Sequence, residues 1–283
     1  MSKAIVTFAV GKATTDMFND YVHESWKRYA FRHGYELIVL DQPVRPDALT
    51  EERPIVFQRL VLFEHPEVGR FDDVVYVDAD IIINYRDAPC IVSQHGGGGI
   101  GMTATDFDRG YVDPVEHTAF AGRMAQAGQA EPGENSEKAL KQLVLQNLQT
   151  IDPAWQRAVF MNAGVLVLNQ QRHADFLVDV FDRYNDDVIY PGAEQTILTY
   201  ELLRSGNHTQ LQDAYNRYWV QVRAGHYPFL LTGDASPDLR RQCVTAALCN
   251  SYFLHFAGPA DVKDDMPLVD LQALETPRGV FNI

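Results

Sequence analysis

Cysteine is scarce in this sequence: Cys90, Cys243 and Cys249 are the three among 283 residues. An odd count with no Cys-x-x-Cys spacing argues against both a disulfide framework and a zinc site. Basic residues are also in deficit, 24 Lys and Arg against 38 Asp and Glu, for a net charge of −14. Nucleic acids present repeating phosphates and bind a basic footprint, so they are not expected as partners. The same sign disfavours docking on an anionic membrane. Long apolar runs are missing too, with no stretch of the roughly 18 residues that a transmembrane segment needs. The start, Met1 to Val10, has one charge and an apolar run too short for a secretory leader. With the unpaired cysteines, this makes a reducing, cytoplasmic compartment the expectation.

What is present is an ordinary globular balance, 46% hydrophobic and 22% charged residues, which excludes a disordered or fibrous chain. Lys3 to Val10 is apolar and β-branched and stops at Gly11, as a buried parallel strand does. From Thr15 to His33, Phe18, Tyr21, Val22, Ser25, Trp26 and Tyr29 recur at the helical spacing, and Gly34 is placed to end the helix. Tyr35 to Leu40 reads as a second strand. The β-α-β order implies a parallel sheet with a right-handed crossover. Further on, the pattern predicts a helix over Ile55 to Glu64 and strands at Val74 to Val77, Ile100 to Thr105 and Val159 to Asn169. Helices are expected at His173 to Tyr184 and Ala193 to Ser205, and a last apolar run covers Ser251 to Phe256. Residues 106–157 are more polar and weakly patterned, and are expected to form a variable helical insertion. No repeat or linker-like shift in composition interrupts the chain, so 1–283 reads as a single α/β domain.

The strongest chemical feature is Val74-Val75-Tyr76-Val77-Asp78-Ala79-Asp80. Four apolar residues deliver two carboxylates to the carboxyl end of a strand, the edge where ligands sit in open α/β sheets. Alternate residues on a strand point the same way, so both carboxylates can reach one site. Their mutual repulsion in an apolar setting is removed by a divalent cation, and oxygen ligands favour Mg²⁺ or Mn²⁺. The plainer reading is that the aspartates only start a turn. Asp72-Asp73 already solvate the strand entrance, however, so two more acids at its exit need another reason. A third candidate ligand is His255, inside the apolar run Tyr252 to Phe256 and followed by Gly258. A histidine in such a run is commonly a satisfied core residue. Brought beside the acids by a near-terminal strand, its nitrogen would shift the preference towards Mn²⁺. Asn162-Ala163-Gly164 breaks another apolar run. It reads either as a bulge or as a place where a sugar approaches the backbone closely, with the Asn amide as donor and acceptor.

These pieces, in this order, resemble the metal-dependent GT-A fold glycosyltransferases. The nearest resemblance is to family 8, the glycogenin and lipopolysaccharide galactosyltransferase group, and to its family 34 galactosyl/xylosyltransferase relatives. The matching residues are the first strand, Tyr29-Ala30 with His33-Gly34-Tyr35, Arg59-Leu60, and Val75 to Asp80. They continue with Met161 to Asn169, Glu194-Gln195, Tyr215-Asn216 and His255-Phe256-Ala257-Gly258. The resemblance spans almost the whole chain. It implies a Rossmann-like, mixed, mostly parallel sheet flanked by helices. It also implies a nucleotide-diphosphate sugar as donor and a saccharide or glycoconjugate as acceptor.

The resemblance further implies that Asp78, Asp80 and His255 hold Mn²⁺ or Mg²⁺. The metal would neutralise the charge that builds on the leaving diphosphate. Thr7, Phe8 and Ala9 would line the base and ribose, unless they are simply core strand. Arg59 would contact the donor's sugar or phosphate side, the plainer alternative being a surface pair with Glu52 or Glu64. Asn162, Ala163 and Gly164, with Ala79 and Gly258, complete the expected donor site. Glu194 and Gln195 would face the reacting sugar carbon, and the configuration there would be retained. One departure stands out. Family 8 enzymes commonly carry a lysine six residues after the histidine, where this sequence has Asp261, so Lys263 is the candidate that replaces it.

Two other classes compete with a transferase. Haloacid-dehalogenase-like phosphatases also carry Asp-x-Asp after an apolar strand, but usually on the first strand and with Thr or Val where this chain has Ile82. A non-catalytic nucleotide-sugar binding protein would keep the metal site and lose the Glu194-Gln195 chemistry.

Overall fold

The computed structural model describes residues 1–107, 136–184, 190–231, 235–258 and 260–275. Of the expected insertion, residues 108–135 lie outside the described residues. The remainder carries a helix, Ser136–Gln149, that packs through Val144 and Leu148 against Phe107 and Ala158.

The strands are β1 (Lys3–Phe8), β2 (Glu36–Leu40), β3 (Asp73–Val77), β4 (Ile81–Ile83), β5 (Ile100–Asp106), β6 (Val159–Asn169), β7 (His208–Gln210), β8 (Arg217–Tyr218) and β9 (Phe253–His255). Six of them form the main sheet in the order β2-β1-β3-β6-β5-β7. β1 pairs parallel with β2 and with β3, whereas β6 runs antiparallel to β3 and β5, and β7 is parallel to β5. Among the described residues the sheet is thus mixed and mostly parallel, with β6 alone reversed. Alternation divides the core into two layers. Ala4, Val6, Val74 and Tyr76 face one layer, and Ile5, Val75 and Val77 face the other. The second sheet, β4-β9-β8, is small, and it is what positions the site. β4 leaves the line of β3 after a turn and pairs antiparallel with β9, setting Ile81 opposite His255. The Trp26 indole N–H donates to the Ile81 carbonyl at 2.7 Å and fixes this second sheet to the first crossover.

The helices flank both layers. They are α1 (Lys12–Met17), α2 (His23–His33), α3 (Ile91–His95), α4 (Ser136–Gln149), α5 (Gln170–Arg183), α6 (Ala193–Ser205), α7 (Trp219–His226), α8 (Pro237–Cys249) and α9 (Ala260–Lys263). The helix expected over Thr15 to His33 is present but is split by a π-turn at Phe18–Val22. The wider turn keeps Phe18 and Val22 on the buried face, in register with Trp26 and Tyr29 of α2. Gly34 ends α2 in the left-handed region, φ 68°, as its place in the sequence predicts. The helix expected over Ile55 to Glu64 differs more. It is 3₁₀, and Val61 breaks it with φ −110° and ψ 16°. Phe57 through Leu62 are all buried, and no single amphipathic face can bury six consecutive residues. The break lets both halves enter the core.

β6 is irregular where the sequence places Asn162-Ala163-Gly164. The pairing with β5 jumps from Val167 opposite Gly101 to Asn162 opposite Thr103, a bulge that lies beside the ends of β3 and β9. Among the described residues the three cysteines are free thiols, and no helix is long and apolar enough to cross a membrane.

Candidate active site

The acids that the sequence places on a strand lie one step further, in the turn that follows β3. Strand geometry ends at Val77. The turn closes by a bond from the Ile81 N–H to the Asp78 carbonyl at 3.1 Å. It is anchored on both sides: the Asp78 N–H donates to the Gly164 carbonyl at 2.8 Å, and the Phe256 N–H donates to the Asp80 carbonyl at 3.0 Å. The convergence of the carboxylates therefore comes from the turn and not from strand alternation. β9 brings in His255, whose Nε2 is 3.1 Å from Asp80 Oδ1 and 3.8 Å from Asp78 Oδ2. One ligand atom from each of the three side chains lies within 4.8 Å of the others.

Charge is concentrated around this trio. The second oxygen of Asp80 meets Lys263 Nζ, at the end of α9, at 3.1 Å. Burial alone would raise the Asp80 pKa, but the His255 and Lys263 contacts outweigh it and hold the carboxyl well below the usual carboxylate range. Asp78 Oδ1 accepts from the Tyr76 hydroxyl at 2.8 Å and from the Arg59 guanidinium at 3.0 Å. Arg59 is buried. It also donates to the carbonyls of Ala163 at 2.6 Å and Val56 at 3.0 Å, and it lies 3.5 Å from Glu194. Burial opposes its charge, yet the neighbouring carboxylates keep its pKa above the ordinary arginine value. Glu194, at the start of α6, is buried too. Burial pushes its pKa up, and the charge of Asp78 adds to this while Arg59 opposes it. The Gln195 side-chain carbonyl accepts from the Ala163 N–H at 3.2 Å.

These groups line a cavity of about 700 Å³. Phe8, Arg59, Asp78, Ala79, Asp80, Asn162, Glu194, Gln195, His255, Gly258 and Lys263 all line it, so the structure brings eleven of the expected residues to one place. Thr7 and Ala9 do not line it; both are buried in β1 or just after it. Ala163 and Gly164 act through their backbone, in the bonds to Arg59 and Asp78 given above. Arg59 pairs with neither Glu52 nor Glu64; Glu64 binds Arg45 instead. Sequence reasoning missed Tyr76, Asn216 and Tyr218. The Tyr218 ring stacks on His255 at 5.0 Å and 17°. Asn216 accepts at His255 Nδ1, 2.8 Å away, and donates to Asn162 Oδ1. Tyr215-Asn216 is visible as a motif, but only the second sheet shows what Asn216 touches.

The trio fits a divalent cation. Two carboxylates and one imidazole form a donor set suited to Mn²⁺ or Mg²⁺. Gly164 makes room for it: a Cβ there would stand 2.6 Å from His255 Cε1 and 3.0 Å from Asp78 Oδ2. Any side chain at this position would push the ligands apart.

No family model and no curated protein matches the chain. Solved structures do. A glycosyltransferase involved in the glycosylation of the major capsid of PBCV-1 superposes with a TM-score of 0.55 at 14% identity, over 95% of this chain and 100% of that one. The bifunctional glycosyltransferase WbbM superposes with a TM-score of 0.53 at 12% identity, over 97% of this chain. The match covers 51% of WbbM, so this chain spans about half of its length. The chain has the GT-A-type fold of glycosyltransferases.

Proposed function

We propose that this protein is a metal-dependent glycosyltransferase that moves a sugar from a nucleotide-diphosphate sugar to a saccharide or glycoconjugate acceptor. The observation that carries this reading is the convergence of Asp78, Asp80 and His255 in the turn after β3, inside a cavity of about 700 Å³ on a GT-A-type fold. Asp78, Asp80 and His255 would hold Mn²⁺ or Mg²⁺. The bound ion would supply positive charge against the two donor phosphates and the leaving diphosphate.

The protein's own groups do the rest. Lys263 stands on the far side of Asp80, with its side chain 43% exposed, so its ammonium can turn towards a diphosphate. Arg59 is engaged by Asp78, Glu194 and two carbonyls, which suits the alignment of those acids better than a sugar contact. Of the Asn162 amide, the oxygen is taken by Gly164 and Asn216, which leaves its amino group to donate to a sugar hydroxyl. Phe8, Met17, Ile55 and Val56 give the cavity an apolar side that suits a base and ribose. Glu194 is buried against Arg59, whereas Gln195 is half-buried and keeps one lone pair of its carbonyl beyond the Ala163 bond. That difference favours Gln195 as the group beside the reacting carbon. The test is a thermal-shift screen of nucleotide sugars with Mn²⁺, followed by a hydrolysis and transfer assay on each hit. A metal-dependent shift with one donor, followed by release of its nucleoside diphosphate, is the expected result. No shift with any donor would overturn the reading.

A further inference from the structure

If the trio is a cation site, one nitrogen of His255 must present a lone pair to the ion, and the surrounding hydrogen bonds determine which. The backbone N–H of Gly164 is a donor in every protonation state, and it bonds Asn162 Oδ1 at 2.7 Å. That orients the Asn162 amide. The same oxygen meets the Asn216 side chain, which must therefore present its amino group, because two amide oxygens would repel. Asn216 Oδ1 is then the atom 2.8 Å from His255 Nδ1, and a carbonyl oxygen there requires the proton on Nδ1. That leaves Nε2, the nitrogen that faces Asp80 Oδ1 and Asp78 Oδ2, to present a lone pair to a cation.

We propose that Asn162 and Asn216 are positioning residues that carry the polarity of the Gly164 peptide N–H to His255 and lock it in its metal-binding tautomer. This rests on the reading of the trio as a divalent-cation site. Asn162, Asn216 and His255 are each at most 5% exposed, so water cannot readily stand in for a missing member. Tyr218, stacked on the imidazole, covers one ring face and hinders the ring from turning over. The bulge in β6 and the Gly164 backbone thus act on the metal ligand through two amides, neither of which touches the ion.

The test uses the whole chain with Mn²⁺ alone, titrated by electron paramagnetic resonance without nucleotide or acceptor. Asn216→Leu and Asn162→Leu should each weaken Mn²⁺ binding by about 10- to 100-fold, the usual effect of removing an outer partner of a metal-bound histidine. Asn162→Asp still accepts both bonds and should bind Mn²⁺ at least as tightly as the wild type. Equal Mn²⁺ affinity in the wild type and Asn216→Leu overturns the proposal. Because a leucine variant can fail to fold, the wild type supplies a second measurement. With Zn²⁺ as a diamagnetic probe, long-range ¹H–¹⁵N correlation should show His255 protonated at Nδ1. A proton on Nε2 overturns the relay. A wild type that binds no Mn²⁺ at all removes the metal reading as well, whereas binding that is indifferent to the amides removes the relay alone.

Discussion

Both carboxylate oxygens of Asp80 are engaged: one faces His255, the other Lys263. Asp80→Asn should cut transfer by more than about 100-fold, since even outer partners of a metal ligand are worth 10- to 100-fold. The fold should survive, because the carboxylate serves a ligand cage and the turn is held by backbone bonds. The check is a cooperative melt beside a Mn²⁺ titration, and retained activity in excess chelator would sink the assignment. A second residue-scale prediction concerns Cys90. Burial would raise its pKa, but hydrogen bonds from Ser93, Tyr35 and Lys3 outweigh it and bring the thiol down to about 7. Lys3 Nζ lies 3.3 Å from the sulfur and the Tyr35 hydroxyl 3.2 Å. The thiolate is the reactive form, so alkylation of Cys90 should rise through neutral pH with its midpoint near 7. Cys243, whose pKa is raised by burial, should react only at higher pH. Mass mapping of iodoacetamide adducts against pH decides this, and equal profiles for the two cysteines would contradict it.

At the scale of elements, the start of α6 carries the clearest local constraint. Gly192 has φ 79° and Ala193 φ 52°, two left-handed residues in succession directly before Glu194 and Gln195. A left-handed alanine costs roughly 1–2 kcal/mol. Ala193→Gly removes that cost while adding about 0.4–1 kcal/mol of unfolded-chain entropy. The two nearly cancel, so the melting temperature should hold or rise slightly. Gly192→Ala should lower it, because a Cβ there stands 2.7 Å from Thr196 Oγ1 as well as in a strained backbone region. A loss of several degrees in Ala193→Gly would contradict the left-handed start. Neither alanine nor its neighbours announce this turn in the sequence; Pro191-Gly192 signals only that a break occurs. The same limit applies elsewhere. The β-α-β opening was legible because apolar periodicity is a local property. The Ile55–Glu64 segment was not, because burial on all sides removes the periodic contrast that would separate 3₁₀ from α. Asp78, Asp80 and His255 stood out as polar residues interrupting apolar runs. Asn216 and Tyr218 did not, since only the pairing of β8 with β9 sets them beside His255.

For the whole molecule, the shared GT-A-type fold leaves the stereochemical course to the site. We expect retention of the donor's anomeric configuration, as the resemblance to families 8 and 34 implies. A covalent route needs a free carboxylate at the reacting carbon, as retaining glycosidases have. Glu194 is the one acid of the Glu194-Gln195 pair, and it is buried against Arg59 with its pKa pushed up by burial. Both features weaken it as a nucleophile. Gln195 cannot serve as one, but its carbonyl dipole can stabilise the positive charge of an oxocarbenium-like sugar. That combination favours attack from the face the diphosphate leaves, with a diphosphate oxygen taking the acceptor's proton. Gln195→Ala should then slow turnover by roughly 10- to 1000-fold, the range of one well-placed electrostatic group. Glu194→Gln should act mainly by loosening Arg59 and Asp78, so it should lower Mn²⁺ affinity along with the rate. A glycosylated Glu194 trapped in that position by mass spectrometry would instead establish the covalent route. NMR of the earliest product settles the main expectation: an anomer opposite to the donor's would show inversion.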